Sequence, residues 1–235
     1  MATKINGWNL FGKVAKAGAV HRSILYGKPG TGKTYNACKL ATDKGEEYYS
    51  VTLNEESSVS EILGMWVPKG KEFVFQPGVA IRAWLEGKLL VINEIDKASG
   101  SVLTVLYAIL DDKAIAGLTI PDNKGSFVNV KPAEGFRAIA TMNGTLDDLP
   151  LALADRFDMR INITEPHPDA IALLPADLQQ IARNAYSAKD TVVSMRDFIA
   201  FAKLREAVGS DDALAAVFGD KAAEMGAILK VGFRK

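Results

Sequence analysis

A chain of 235 residues with 28 Lys+Arg against 28 Asp+Glu, one cysteine and 48% hydrophobic residues is long enough to bury roughly 70–75% of its unfolded surface without a disulfide or metal staple. The balanced charge excludes intrinsic disorder. The single Cys38 excludes an internal disulfide framework, and zero net charge argues against a dedicated nucleic-acid coat while leaving room for a local basic groove. No apolar run approaches the ~18 residues of a membrane span, and the N-terminal segment MATKINGWNLFGKVAKAGAV lacks an apolar core of signal-peptide length. A soluble protein of the cytoplasm is the default expectation.

In chain order, the apolar run 22–26 predicts a strand that enters the glycine-rich stretch GKPGTGKT, and a helix follows with Ala37, Leu40 and Ala41 on one face. A strand is predicted over 48–53. Ser58 and Glu61 form a capping box that starts a short helix ending near Gly64. The segment 65–77, apolar arms around a Pro/Gly turn, reads as a hairpin, followed by a helix over 79–86. The run 88–93 is apolar on both faces, as a strand inside a parallel sheet is. A helix over 101–110, a second hairpin over 117–130, a strand over 136–142, a helix over 149–157 and a strand over 159–163 complete the pattern. Strands alternating with helices imply a parallel sheet covered by helices. Glu165-Pro-His-Pro168 breaks the alternation, and helices are predicted over 177–186, 194–208, 211–218 and 221–229. The expected organisation is an α/β nucleotide-binding core over 1–164 and an α-helical lid over 165–235, with no internal repeat or low-complexity stretch.

GKPGTGKT fits G-x-x-x-x-G-K-[ST] between a strand and a helix, the context that motif requires. Gly27, Gly30 and Gly32 let successive N–H groups turn into one concavity, and the helix that follows adds partial positive charge at its N-terminus, so a polyphosphate is the natural guest. Lys33 is expected to reach the outer phosphates and the Thr34 hydroxyl to hold Mg²⁺. The expected nucleotide-binding residues are Gly27, Lys28, Pro29, Gly30, Thr31, Gly32, Lys33, Thr34 and Tyr35.

Two strand ends extend this site. The run 89–92 carries Asn93 and Glu94 to the carboxyl edge of the sheet, where ligands of such sheets bind. A carboxylate there can orient and polarise a water for in-line attack on a terminal phosphate. The second strand delivers Asn143, whose amide can hold the attacking water or the terminal phosphate from the other side, although Asn-Gly is also a common turn pair. A guanine-reading Asn-Lys-x-Asp motif is absent, since the stretch from Asn123 has Ser126 at its fourth place.

Taken in order, GKPGTGKT, LLVINEIDKA, ATMNG, LALADRFD and SMRDF resemble the AAA+ ATPases of the MoxR-like branch, over the whole chain beyond its N-terminal segment. The two hairpins fall where that branch carries its insertions. The resemblance implies a homo-oligomeric, usually hexameric, ring with ATP and Mg²⁺ at subunit interfaces. Under it, Lys33 and Thr34 take the Walker A roles, Thr34 and Asn93 attend the metal, Glu94 is the catalytic base and Asn143 the first sensor. Arg156 matches the arginine finger that enters a neighbour's site, with Arg160 as a rival, and Arg196 matches the second sensor, although Ser194 alone would cap that helix. One departure stands out: the family's usual Asp is Asn93 here. An amide keeps an acceptor oxygen but loses the charge, so weaker Mg²⁺ binding and slow hydrolysis are expected, with Asp96 a lesser candidate for part of the metal role.

The function implied is protein remodelling or activation by a chaperone-like ATPase, with a separate partner protein such as one bearing a von Willebrand factor A domain. Two alternatives remain open. One is a nucleic-acid translocating motor of the restriction type, disfavoured by the absence of a basic stripe. The other is a nucleotide-gated assembly module with weak hydrolysis, motivated by Asn93. The hairpin aromatics Trp66, Phe73 and Phe75 either grip a partner or pack on the core.

Overall fold

The structure, a computed structural model, describes residues 6–122, 126–187 and 193–232. They divide into two compact units: the described residues through Gly27 together with Lys33–Asn162, and Lys28–Gly32 together with the described residues from Ile163 onward.

The first unit begins with α1 (Gly7–Lys16), an element beyond those expected from the sequence. Asn6 caps it by accepting a hydrogen bond from Asn9 N at 3.0 Å, and Trp8 and Phe11 are buried edge to face on its inner side. Then come β1 (Arg22–Gly27), α2 (Lys33–Thr42), β2 (Tyr48–Thr52), α3 (Val59–Leu63), β3 (Gly64–Lys69), β4 (Glu72–Pro77), α4 (Val79–Glu86) and β5 (Leu89–Asn93). They are followed by α5 (Gly100–Ile109), β6 (Leu118–Pro121), β7 (Phe127–Val130), β8 (Arg137–Thr141), α6 (Leu151–Ala154) and β9 (Met159–Ile163).

Five strands form one sheet in the order β2-β5-β8-β1-β9, and the pairs β2–β5, β5–β8 and β1–β8 are parallel. Leu89, Leu90, Val91 and Ile92 on β5 are fully buried, as a strand covered on both faces must be. Trp84 of α4 and Phe136 pack edge to face in the same core, with ring centroids 6.0 Å apart.

Both hairpins are present. β3 and β4 pair antiparallel between α3 and α4, and β6 pairs with β7 ahead of β8; the tip of the second, 123–125, lies outside the described residues. The Ser58–Glu61 capping box forms as the sequence requires. The first hairpin divides its aromatics: Phe75 is buried with Ile81 and Ile120, while Trp66 and Phe73 stay 46% and 67% exposed. The helix expected over 149–157 is shorter, because Leu149 and Pro150 are extended and only Leu151–Ala154 coils.

The second unit is helical from Pro168 onward, with α7 (Pro168–Ala172), α8 (Ala176–Ser187), α9 (Met195–Val208), α10 (Ser210–Phe218) and α11 (Ala222–Gly232). The helix α7 stands where the sequence suggests only a break. Pro168 opens it at the first helical position with His167 as the cap. Leu178, Phe198 and Phe201 centre this unit's own core, and Arg205 of α9 grips Asp177 of α8 through two bonds of 2.7 and 3.0 Å. Among the described residues no helix is long and apolar enough to cross a membrane.

Candidate functional site

The register of the sheet builds the site. It aligns Thr52 of β2, Asn93 of β5 and Thr141 of β8 in one row at the carboxyl edge. Asn93 therefore has a hydroxyl on each side. Its Nδ2 donates to Thr52 Oγ1 at 3.4 Å, and its Oδ1 accepts from Thr141 Oγ1 at 2.5 Å. Thr34, in the first turn of α2, donates its hydroxyl to the same Oδ1 at 2.5 Å. A carbonyl oxygen has two lone pairs, so these two hydroxyls saturate the Asn93 acceptor. Thr34 commits its hydroxyl hydrogen to this contact and keeps its oxygen lone pairs for a metal. The oxygen-only chemistry of this corner fits Mg²⁺, which takes few protein ligands and completes its shell with water and substrate phosphates. Among the described residues no group of three or more His, Cys, Asp or Glu could hold a metal by itself.

Lys33 stands beside this row. Its Nζ donates to the Gly27 carbonyl and to Asn143 Oδ1, each at 3.1 Å, which joins the end of β1, the start of α2 and the residue just past β8. Burial pushes the Lys33 ammonium down to about 8, partly offset by the charge of Asp96. Gly144 N also donates to the Gly27 carbonyl, at 3.3 Å, so the turn after β8 is pinned to the mouth of the loop.

Glu94 follows Asn93 directly and sits at φ 54°, ψ 48°. It is the one non-glycine residue with positive φ among those described. A Cβ-bearing residue held in the left-handed region stores strain, and such residues concentrate at functional sites. The kink ends β5 and begins the short 3₁₀ turn Ile95–Lys97.

The loop segment Lys28–Gly32 is fastened within the helical unit. Lys28 Nζ donates to the Tyr186 carbonyl at 2.9 Å, Tyr186 Oη donates to the Gly30 carbonyl at 3.2 Å, and the buried Thr31 accepts His167 N at its carbonyl at 3.2 Å. Burial raises the Tyr186 phenol to about 12, which keeps it a donor at neutral pH. Gly30 adopts φ +71°, and a Cβ there would stand 2.5 Å from Ser194 Cβ. Ser194 caps α9 through a capping box with Asp197. Arg196 lies in the first turn of that helix and is exposed. Pro29 and Tyr35 are also exposed.

Arg156 is held inside its own unit. Its Nε donates to the Tyr107 carbonyl at 2.8 Å, its Nη1 donates to the Ala152 carbonyl at 2.7 Å, and its guanidinium lies 4.8 Å above the Tyr107 ring. Arg160 is more exposed and pairs with Asp155 at 3.2 Å.

The structure thus bonds Lys33 to Gly27 and to Asn143, and Thr34 to Asn93, two hydrogen-bonded sets joined by the Lys33–Thr34 peptide bond, with Glu94 next to Asn93. It places Arg156 and Arg160 in contacts with other partners. Nothing in the sequence singles out Thr52 or Thr141, although the strand ends that carry them are legible. Tyr186 and Ser194 are equally silent there, because nothing local marks a residue that packs on a loop some 150 positions away.

Comparison with known proteins adds relatives. Residues 22–157 match the family described as AAA domain (dynein-related subfamily). Protein NorQ of Paracoccus denitrificans is 30% identical over 120 residues, 51% of this chain and 43% of NorQ. Midasin of Giardia intestinalis is 30% identical over 132 residues, 56% of this chain and 3% of midasin. The chain thus spans less than half the length of each of these two relatives. Among solved structures, NtrX from Brucella abortus superposes with a TM-score of 0.62 over 94% of this chain and 56% of NtrX, at 14% identity, a likeness of fold.

Proposed function

The chain belongs to the dynein-related AAA subfamily, within the AAA+ ATPases and their MoxR-like branch, and on that premise we propose that it is an ATP hydrolase working as a homo-oligomeric ring that remodels or activates a separate protein client. The observation that carries this reading is the double bond of Lys33 Nζ to Gly27 O and Asn143 Oδ1. It gathers the phosphate loop, its lysine and the sensor strand at one point.

Each residue then has a physical task. Lys33 offers its ammonium to the outer phosphates of ATP. Asn143 holds the terminal phosphate or the attacking water with its amide, and Glu94 aims that water and takes its proton. Thr34, oriented by Asn93, holds Mg²⁺, which when bound neutralises phosphate charge. Arg156 is the guanidinium presented to the neighbouring subunit's site. Its anchorage to Tyr107 and Ala152 fixes its direction in advance, which favours stabilisation of developing charge. Arg196, in the first turn of α9, takes the second-sensor role that the family resemblance implies. The exposed Trp66 and Phe73 on the first hairpin, and Phe127 on the second, offer aromatic grip to an unfolded or extended client segment. The hexamer and a partner with a von Willebrand factor A domain belong to the same proposal and rest on the family resemblance.

The test is turnover measured against protein concentration. A hyperbolic rise that Glu94→Gln and Arg156→Ala each abolish is the expected result. Turnover that is independent of concentration and indifferent to Arg156→Ala would remove the ring.

A further inference from the structure

The row at the carboxyl edge holds a hydroxyl that packing alone does not require. Thr141, at the end of the middle strand β8, is 1% exposed, and a valine would fill the same space. Among the described residues its hydroxyl has two oxygens within reach. It donates to Asn93 Oδ1 at 2.5 Å, and Thr34 Oγ1 stands 3.3 Å away. A buried donor that loses its acceptor is costly, so the Thr141 hydrogen constrains whatever faces it.

What faces it is an amide, whose two ends differ: one accepts hydrogen bonds and the other donates them. In the structure Oδ1 of Asn93 accepts from Thr34 and Thr141, and Nδ2 donates to Thr52 Oγ1. Turned end for end, the amide would aim Nδ2 at Thr34 and Thr141 and donate to both oxygens. The Thr141 hydrogen would then have only Thr34 Oγ1 to go to, at 3.3 Å. Thr34 would receive two hydrogens, which fills its lone pairs and closes its oxygen to a metal. The observed orientation gives the Thr141 hydrogen its near acceptor and leaves those lone pairs open.

We infer that Thr141 is a positioning residue that locks the Asn93 amide with its oxygen toward Thr34, and so keeps the Thr34 hydroxyl available to the divalent cation of this site. The inference rests on the proposed nucleotide site, and Thr141 acts only through Asn93 and Thr34. A carboxylate at position 93 would present an oxygen to Thr34 whichever way it turned. The lock therefore matters in this chain because residue 93 is an asparagine. Groups that orient a metal's ligands typically govern about 10–100-fold in metal affinity.

The test is Mn²⁺ binding to the full chain in the presence of ATPγS, followed by electron paramagnetic resonance, with ATPγS affinity in EDTA measured in parallel. Thr141→Val should weaken Mn²⁺ by about tenfold and leave the EDTA affinity unchanged, while Thr141→Ser, which keeps the hydroxyl, should bind as wild type does. Made in an Asn93→Asp background, Thr141→Val should change Mn²⁺ affinity by no more than about twofold. If valine is not accommodated, Thr141→Ala takes its place in both backgrounds. Thr52→Val, on the exposed side where water can replace the lost hydroxyl, should stay within about twofold of wild type. Mn²⁺ affinity unmoved by removal of the Thr141 hydroxyl, an equal loss in EDTA, an equal loss in the Asn93→Asp background, or a comparable loss from Thr52→Val would overturn the assignment. Wild-type protein that binds no ATPγS, with or without metal, would instead bring down the nucleotide site itself and this inference with it.

Discussion

Lys33 Nζ and Asn143 Oδ1 lie 3.1 Å apart, so the ammonium that follows the glycine-rich loop is engaged by the amide just past β8. With the Gly27 carbonyl as a further acceptor, both of these contacts are neutral dipoles. Burial then dominates, and the proton is lost near pH 8.

A pH dependence follows with a definite sign. Phosphate binding favours the ammonium, so above pH 8 the free protein must take up a proton to bind nucleotide. Affinity should be flat between about pH 7 and 8 and fall by about tenfold per unit above that. Lys33→Arg, always charged, should remove the slope, as titration with a fluorescent ATP analogue from about pH 7 to 10 would register. Stability runs the other way. The unfolded lysine keeps its proton to near 10.5 while the folded one releases it near 8, so between those values the unfolded chain binds more protons and this group's contribution to stability rises with pH.

Glu94 supplies a trade between stability and activity. It holds φ 54°, where a Cβ is disfavoured, and glycine adopts that conformation freely. Glu94→Gly should raise stability by about 1 kcal/mol, visible as a gain of about 2–4 °C in Tm, while ATP turnover is lost. Glu94→Gln should keep the native Tm and nucleotide affinity and lower turnover by about 10²–10⁴-fold. A Glu94→Gly variant that is both less stable and still active would contradict the assignment of strain to function.

The core motifs are legible in the sequence because each is local. The loop 27–34 carries its own glycines, and β5 and β8 declare themselves by continuous apolar runs. The row Thr52–Asn93–Thr141 is not legible, since it exists only once the register of three parallel strands is set. The helix α1 shows itself in its burial rather than in any motif, through Trp8 and Phe11 on its inner side. The expected helix over 149–157 is shortened at its start because the ψ of 132° at Pro150 holds the chain extended at the cap. The first hairpin forms as its Pro/Gly turn predicts. Its aromatics could not be sorted from sequence, since Phe73 and Phe75 have the same parity along β4 and tertiary packing alone decides which is covered.

That last point is measurable. Phe75 is 8% exposed and packs with Ile81 and Ile120, whereas Phe73 is 67% exposed. Phe75→Ala should cost about 3 kcal/mol by opening a cavity, and Phe73→Ala should stay within about 0.5 kcal/mol of wild type. Urea unfolding of the two variants separates them, and equal losses would show that the hairpin packs differently in solution.

Gly30 couples its own backbone to the helical unit. With φ +71° and Ser194 Cβ 2.5 Å from where a Cβ would stand, an alanine must either shift the loop or displace the cap of α9. Gly30→Ala should therefore destabilise the protein by about 1–3 kcal/mol and weaken nucleotide binding. Gly45 is the control, since it also has positive φ but nothing lies within 4 Å of where its Cβ would stand. Gly45→Ala should carry the backbone cost alone, about 1 kcal/mol, with affinity intact. Thermal melts and nucleotide titrations of both variants check the pair.

Arg156 and Arg160 can be separated by two readouts taken together. Arg156 ties α5 to α6 through the Tyr107 and Ala152 carbonyls, so Arg156→Ala removes hydrogen bonds that a half-buried site needs and should lower stability by about 1–2 kcal/mol. If it also reaches the neighbouring subunit, turnover at saturating nucleotide falls by about 10³-fold or more, far beyond what a Tm still well above the assay temperature explains. Arg156→Lys should recover much of the stability, since an ammonium can still bond a carbonyl, but little turnover, because it cannot present a planar fork to phosphate. Arg160, with one exposed pair to Asp155, should give an alanine variant of near-native stability. Should that variant, rather than Arg156→Ala, lose turnover in the assembled protein while mixed assemblies with Glu94→Gln regain it, the finger is Arg160 and the anchored Arg156 is a brace between two helices.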